Sequence, residues 1–202
     1  MKFAIIGAGV MGSLVGAMLV KAGAKVWLVD QNKTMITEIQ ENGLKIMVND
    51  TDELIKINAV ERPDEINEKM DVILFLVKGY HTDAAASSAL CLSDENTYIM
   101  TLQNGIGNVE ILEKYYNKDH ILYGILEFAG RMIALGHVQG LIGENSKICF
   151  GSTLKIINDK MRKIAVFFES CGIKVILQED IDSQVWIKLR NNSTNVIFGL
   201  LR

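Results

Sequence analysis

The chain has 202 residues, enough for one large domain or for one domain and the start of another. A net charge of −3 without any lysine- and arginine-rich stripe excludes a nucleic-acid footprint, and 49% apolar residues with a single proline (Pro63) exclude disorder. The cysteines (Cys91, Cys149, Cys171) and histidines (His81, His120, His137) are scattered, which argues for reduced, cytosolic thiols and against a metal site.

In chain order, Lys2 to Ile6 is a short apolar strand and Val10 to Lys21 a helix ending near Gly23. The uncharged run from Phe3 to Val20 behind Met1-Lys2 imitates a secretory signal or a membrane span. Four glycines and a serine dilute it, and the spacing of those glycines favours another reading, so no membrane association is expected. Lys25 to Val29 is a second strand, Thr34 to Asn42 a helix closing at Gly43, and Leu44 to Val48 and Leu54 to Val60 two strands around an acidic turn.

Asp71 to Val77 is a continuous apolar run, the signature of a parallel strand buried on both faces. A helix from Thr82 to Leu92, a strand from Tyr98 to Leu102 and a helix from Val109 to Tyr115 follow. Beyond about residue 120, Ile121 to Ala134, His137 to Ile142 and Lys147 to Phe150 read as added strands. Asp159 to Ser170 then reads as a helix, Ile173 to Leu177 as a last strand, and Asp182 onward as helical. The alternation predicts an α/β fold, a Rossmann-type doubly wound and mainly parallel sheet with added C-terminal strands, followed by the start of an all-helical second domain. The expected division is a dinucleotide-binding domain over residues 1–178 and the first helix of a substrate and dimerisation domain over 179–202.

Gly7-Ala8-Gly9-Val10-Met11-Gly12 is a GxGxxG turn between a strand and a helix. Its first glycine permits a tight turn, the second lets backbone amides approach a pyrophosphate, and the third lets helix and strand pack closely. The helix end then faces the phosphates with free N–H groups. The second strand ends in Asp30, where an acid would grip ribose hydroxyls. Asp30 bears on coenzyme choice, because a carboxylate about 4 Å from a 2′-phosphate costs up to ~4 kcal/mol per unit charge at an effective dielectric of 20. It favours NADH, unless Lys33 swings in to meet the phosphate. Lys78 and Asn104-Gly105 follow strands and point to the crevice beyond the strand ends.

Together GAGVMG, VKGYHT (77–82), LQNGIGN (102–108), the GHV turn (136–138) and VWIKLRNN (185–192) resemble the ketopantoate reductases, in the same order along the whole chain. The resemblance implies reduction of 2-dehydropantoate to pantoate with NADPH, on the route to coenzyme A, in the cytoplasm. It implies that Lys78 and Asn104 lie near the nicotinamide and substrate, that Lys188 is the catalytic lysine, and that Asn192 binds substrate. A buried lysine suits this chemistry, since hydride delivery to a ketone leaves an alkoxide that needs a proton and a positive neighbour.

Three features depart from the family. Asp30-Gln31 stand where the family carries a basic residue for the 2′-phosphate. The family's second substrate asparagine would fall on Val196, whereas Asn191 and Asn195 keep the four-residue spacing one position early, a rotation of ~100° on a helix. The family's helical domain continues well beyond Arg202 and supplies a serine and an acid to the site. Residues 196–201 would then expose apolar surface, which points to a chain cut short, a shortened gene or a homodimer through this helix. The alternatives to a 2-oxoacid reductase are a dinucleotide-binding module without turnover and another NAD-linked hydroxyacid or opine-type dehydrogenase.

Overall fold

A computed structural model of the chain describes the backbone of residues 1–200 and the side chains of residues 1–194. The strands are β1 (Lys2–Ile6), β2 (Lys25–Val29), β3 (Leu44–Val48), β4 (Thr51–Ile55), β5 (Asn58–Val60), β6 (Val72–Phe75), β7 (Tyr98–Thr101), β8 (Ile121–Glu127), β9 (Ala129–Ala134), β10 (His137–Leu141), β11 (Lys147–Ser152) and β12 (Lys174–Leu177). The helices are α1 (Val10–Lys21), α2 (Lys33–Asn42), α3 (Thr82–Ser88), α4 (Asn108–Leu112), α5 (Asp159–Ser170) and α6 (Asp182–Leu200).

The main sheet has the order β12-β11-β8-β7-β6-β1-β2-β5. From β5 to β8 every neighbouring pair is parallel, while β11 runs antiparallel to β8 and carries β12 beside it. The chain leaves β1 toward β2 and β5, then returns to build β6, β7 and β8 on the other side. Such a reversal leaves a crevice beyond the carboxyl ends of the two central strands, here β1 and β6.

Strand alternation divides the core between the two faces. Phe3 and Ile5 pack with Leu14 and Phe168 of the helices on one face, and Ala4 and Ile6 with Ala86 and Leu112 on the other. Helix α1 is buried over the eight consecutive residues Gly12 to Leu19. A helix apolar all round needs cover all round, and a second sheet, in the order β4-β3-β10-β9, provides it. On one side, Gly16 sits so close to Leu28 and Ile5 that a Cβ would lie 3.0 and 3.3 Å from their methyls. On the other, Cβ atoms at Gly130 and Gly140 would lie 2.7 and 3.2 Å from the methyls of Leu14. The stretch that imitates a signal sequence is therefore the filling between two sheets. Among the described residues no helix is long and apolar enough to cross a membrane.

The structure differs from the sequence expectation mainly in how strands are shared out. Leu54 to Val60 is not one strand, because β4 pairs with β3 in the small sheet and β5 with β2 in the large one. Ile121 to Ala134 breaks at Phe128. Its first part, β8, is the sixth parallel strand of the main sheet rather than an addition, and its second, β9, joins the small sheet. The helix expected to reach Leu92 is α-helical only to Ser88 and tightens into a 3₁₀ turn over Ala89–Leu92. Helix α4 likewise ends at Leu112.

The start of α6 is pinned to the sheet. The Tyr123 hydroxyl donates to the Asp182 carboxylate at 2.7 Å, Lys155 pairs with it at 3.2 Å, and Ile181 is buried with Ile125 and Cys149. Tyr123 and Lys155 hold the Asp182 carboxyl below the usual carboxylate range, so this tie is present at neutral pH and is lost as pH falls through the lowered value.

Because Leu14 fills the space between the sheets at 0% exposure, Leu14→Ala should cost about 2–5 kcal/mol in urea denaturation. Val166→Ala, at a site 60% exposed on α5, should stay within about 0.5 kcal/mol of the parent.

Candidate functional site

A cleft of about 940 Å³ opens at the carboxyl ends of β1 and β6, bordered by Gly7, Gly9, Asp30, Lys78 and Asn104 among others. The glycine turn fits it by close approach. Gly7 has φ +110°, and a Cβ there would lie 2.9 Å from the backbone of Leu76 and Val77; a Cβ at Gly12 would lie 1.8 Å from the Gly7 carbonyl oxygen. Gly9 is the opposite case, with an ordinary φ of −64° and nothing within 4 Å of where its Cβ would be. The turn is therefore closed toward the protein and open toward the cleft, and α1 begins at Val10 directly behind it. Val10 and Met11 border the cleft, whereas Ala8 is buried beneath it. Bare amides at a helix N-terminus with space in front of them suit a phosphate-bearing group.

Asp30 closes the turn's other side. Its carboxylate accepts the Ala8 N–H at 2.7 Å and the Asn32 N–H at 2.9 Å, which fixes both oxygens at the tip of β2. Lys33 pairs with Glu61 at 4.0 Å and does not border the cleft.

Lys78 and Asn104 emerge from the ends of neighbouring strands and are exposed in the cleft wall. A buried polar chain that the sequence did not reveal fixes the backbone beneath them. The Thr101 hydroxyl donates to Gln103 Oε1 at 2.9 Å, and Gln103 Nε2 donates to the Val77 carbonyl at 2.8 Å and to Thr82 Oγ1 at 2.9 Å. Thr82 in turn donates to Asn108 Oδ1 at 3.1 Å. These groups fasten the ends of β6 and β7 to the first residues of α3 and α4. The only signal for it was Gln103 itself, a polar residue directly after an apolar strand. His81, part of the VKGYHT motif, and Arg62, Asp64 and Met132, none of these three singled out in the sequence, also border the cleft.

Lys188 sits apart from this group and does not border the cleft. Its Nζ donates to the Leu126 carbonyl at 2.6 Å, near the end of β8. Burial pushes the ammonium below the ordinary lysine value, against the opposing pull of Glu127 and Cys149. Asn192 is exposed on α6, and the Asn195 side chain lies outside the described residues. Among the described residues no group of three or more histidine, cysteine or acidic side chains could hold a metal ion.

The reversed parallel sheet, the glycine turn over the tip of β1 and the acid at the tip of β2 define a Rossmann-type α/β protein. A family model described as Ketopantoate reductase PanE/ApbA matches residues 3–153, and the chain belongs to that family. It is 33% identical to a 2-dehydropantoate 2-reductase of Pyrococcus abyssi over all of its length and 64% of the relative's. It is 30% identical to that of Lactococcus lactis, over 96% of this chain and 62% of the relative. The chain thus spans less than two thirds of these relatives. Among solved structures, the 2-dehydropantoate 2-reductase of Geobacter metallireducens superposes with a TM-score of 0.84 at 27% identity, covering 92% of this chain and 60% of that one. A D-mandelate dehydrogenase solved with NADH and anilino(oxo)acetate superposes with a TM-score of 0.83 at 25% identity, covering 92% and 59%.

Replacing Gln103 by leucine leaves the Thr101 hydroxyl without its acceptor and the Val77 carbonyl without its donor, while Thr82 keeps its bond to Asn108. We expect Gln103→Leu to cost about 1–3 kcal/mol in urea denaturation, the desolvation penalty of a buried group left unpaired.

Proposed function

We propose that the chain binds a nicotinamide dinucleotide across the tips of β1 and β6 and reduces the ketone of a 2-oxoacid, with 2-dehydropantoate as substrate. The observation that carries this reading is the glycine turn, closed against Leu76 and Val77 and open toward a cleft that also holds Lys78 and Asn104. Gly7, Gly9 and Gly12 shape the turn, the Ala8 amide holds Asp30 beside it, the amides of Gly9 to Met11 face the phosphates, and Asp30 takes ribose hydroxyls and favours NADH. The coenzyme, when bound, supplies the hydride. Lys78 offers a positive charge to anionic groups in the cleft, and the Asn104 amide orients the reacting carbonyl. Lys188 supplies the proton to the alkoxide, and Asn192 and Asn195 of the same helix are the substrate-binding residues of this reading. Residues 1–178 form the coenzyme domain in this reading, and 179–202 begin the domain that brings Lys188 to the substrate.

To act, Lys188 exchanges the Leu126 carbonyl for the substrate oxygen. The likeness to D-mandelate dehydrogenase, together with Asp30, supports a second reading, an NADH-linked reductase of a bulkier 2-oxoacid.

The experiment is coenzyme oxidation with 2-dehydropantoate, compared between the parent and Lys188→Ala. Loss of a proton donor should lower kcat by about 10²–10⁴-fold while coenzyme binding persists. The reactive form is the ammonium, so the parent rate should fall as pH rises through the Lys188 pKa, and burial places that limb below the ordinary 10.5. Equal rates in the two proteins would remove Lys188 from the mechanism.

A further inference from the structure

The tips of β2 and β5 form one rim of the cleft. The two strands are parallel and in register, Val29 beside Val60, so Asp30 and Glu61 leave the sheet side by side. Two cations and four acids gather there, and each cation has an acid within 4.0 Å. Lys33 is paired with Glu61 at 4.0 Å. Arg62 borders the cleft, but its Nε donates to Asp64 at 3.0 Å and lies 3.9 Å from Glu65, whose carboxylate also accepts the Arg62 backbone N–H at 2.8 Å. Asp30 has no cation against it among the described residues and keeps its oxygens fixed by the amides of Ala8 and Asn32.

From the bound dinucleotide's side, these groups differ in what they offer. A fixed carboxylate accepts from a ribose 2′-hydroxyl and repels a 2′-phosphate. A free guanidinium at the same rim would do the reverse, since arginine matches phosphate through two parallel N–H donors. Arg62 stands at the right edge, and the short turn that begins with Pro63 folds Asp64 and Glu65 back onto it.

We propose that Arg62, restrained by Asp64 and Glu65, is a specificity-determining residue for the coenzyme. The two carboxylates withhold its guanidinium from a 2′-phosphate, and with Asp30 they restrict the site to the dinucleotide bearing a free 2′-hydroxyl. The inference rests on the dinucleotide reading of the cleft and adds which residues decide between its two forms.

The test is a fluorescence titration of NADH and NADPH against the full chain, Asp64→Ala, Asp64→Ala with Glu65→Gln, and that double variant with Arg62→Ala added. Glutamine at 65 still accepts the Arg62 N–H, so the turn is kept. The parent is expected to bind NADH more tightly. Freeing Arg62 should shift the affinity ratio toward NADPH by about tenfold, the size of one hydrogen bond to a charged group, and adding Arg62→Ala should reverse the shift. An unchanged ratio in the Asp64 and Glu65 variants, or a shift that survives Arg62→Ala, would overturn the role of Arg62. A parent that prefers NADPH would overturn the restriction. Binding of neither coenzyme to any folded variant would overturn the cleft reading and this proposal with it.

Discussion

The architecture turns on one close approach. The Gly7 carbonyl oxygen lies where a side chain at position 12 would have to begin, and Gly7 itself is pressed against the backbone at Leu76 and Val77. These contacts tie three things that are far apart in function: the tip of β1, the tip of β6 and the first turn of α1. With them in place, the helix start is aimed into the crevice that the sheet's reversal leaves open. Without room at either glycine, α1 would tilt away from the sheet and the space it shares with Leu28 and Ile5 would be lost. The small sheet then covers the helix from the other side through Gly130 and Gly140, so the site and the core are held by the same element.

What the sequence revealed and what it concealed follow from the range of the interactions. The glycine turn, the buried run through β6 and the amphipathic α5 are local patterns, legible because strand and helix periods mark them directly. The sharing of strands between two sheets is not local. Strand β3 pairs with β10, Lys45 beside His137, and nothing in either segment names its partner. The run from Thr51 to Val60 has no glycine or proline where it changes sheets. Its division is decided by which neighbours are free, and a local reading makes its second half one strand.

The site was legible where backbone geometry demands a particular residue and illegible where a side chain serves others. Gly7, Gly12 and Asp30 have positions that only a few residues satisfy. Gln103, Thr82 and Asn108 are ordinary polar residues until the fold buries them together, and then each completes the hydrogen bonding of the next. Lys188 is the residue for which placement and resemblance stand furthest apart. Resemblance makes it the catalytic lysine at the substrate, while in this structure it is tied to the Leu126 carbonyl outside the cleft.

Gly9 offers the most direct test of the central claim, that the turn is closed toward the protein and open toward a dinucleotide. Its backbone is one that alanine adopts freely, and the added methyl meets no protein atom within 4 Å. Calorimetric titration of NADH into the parent and into Gly9→Ala, with thermal unfolding of both, isolates that opening. The account requires matched unfolding temperatures and much weaker coenzyme binding in the variant. Equal affinity in two equally stable proteins would contradict it.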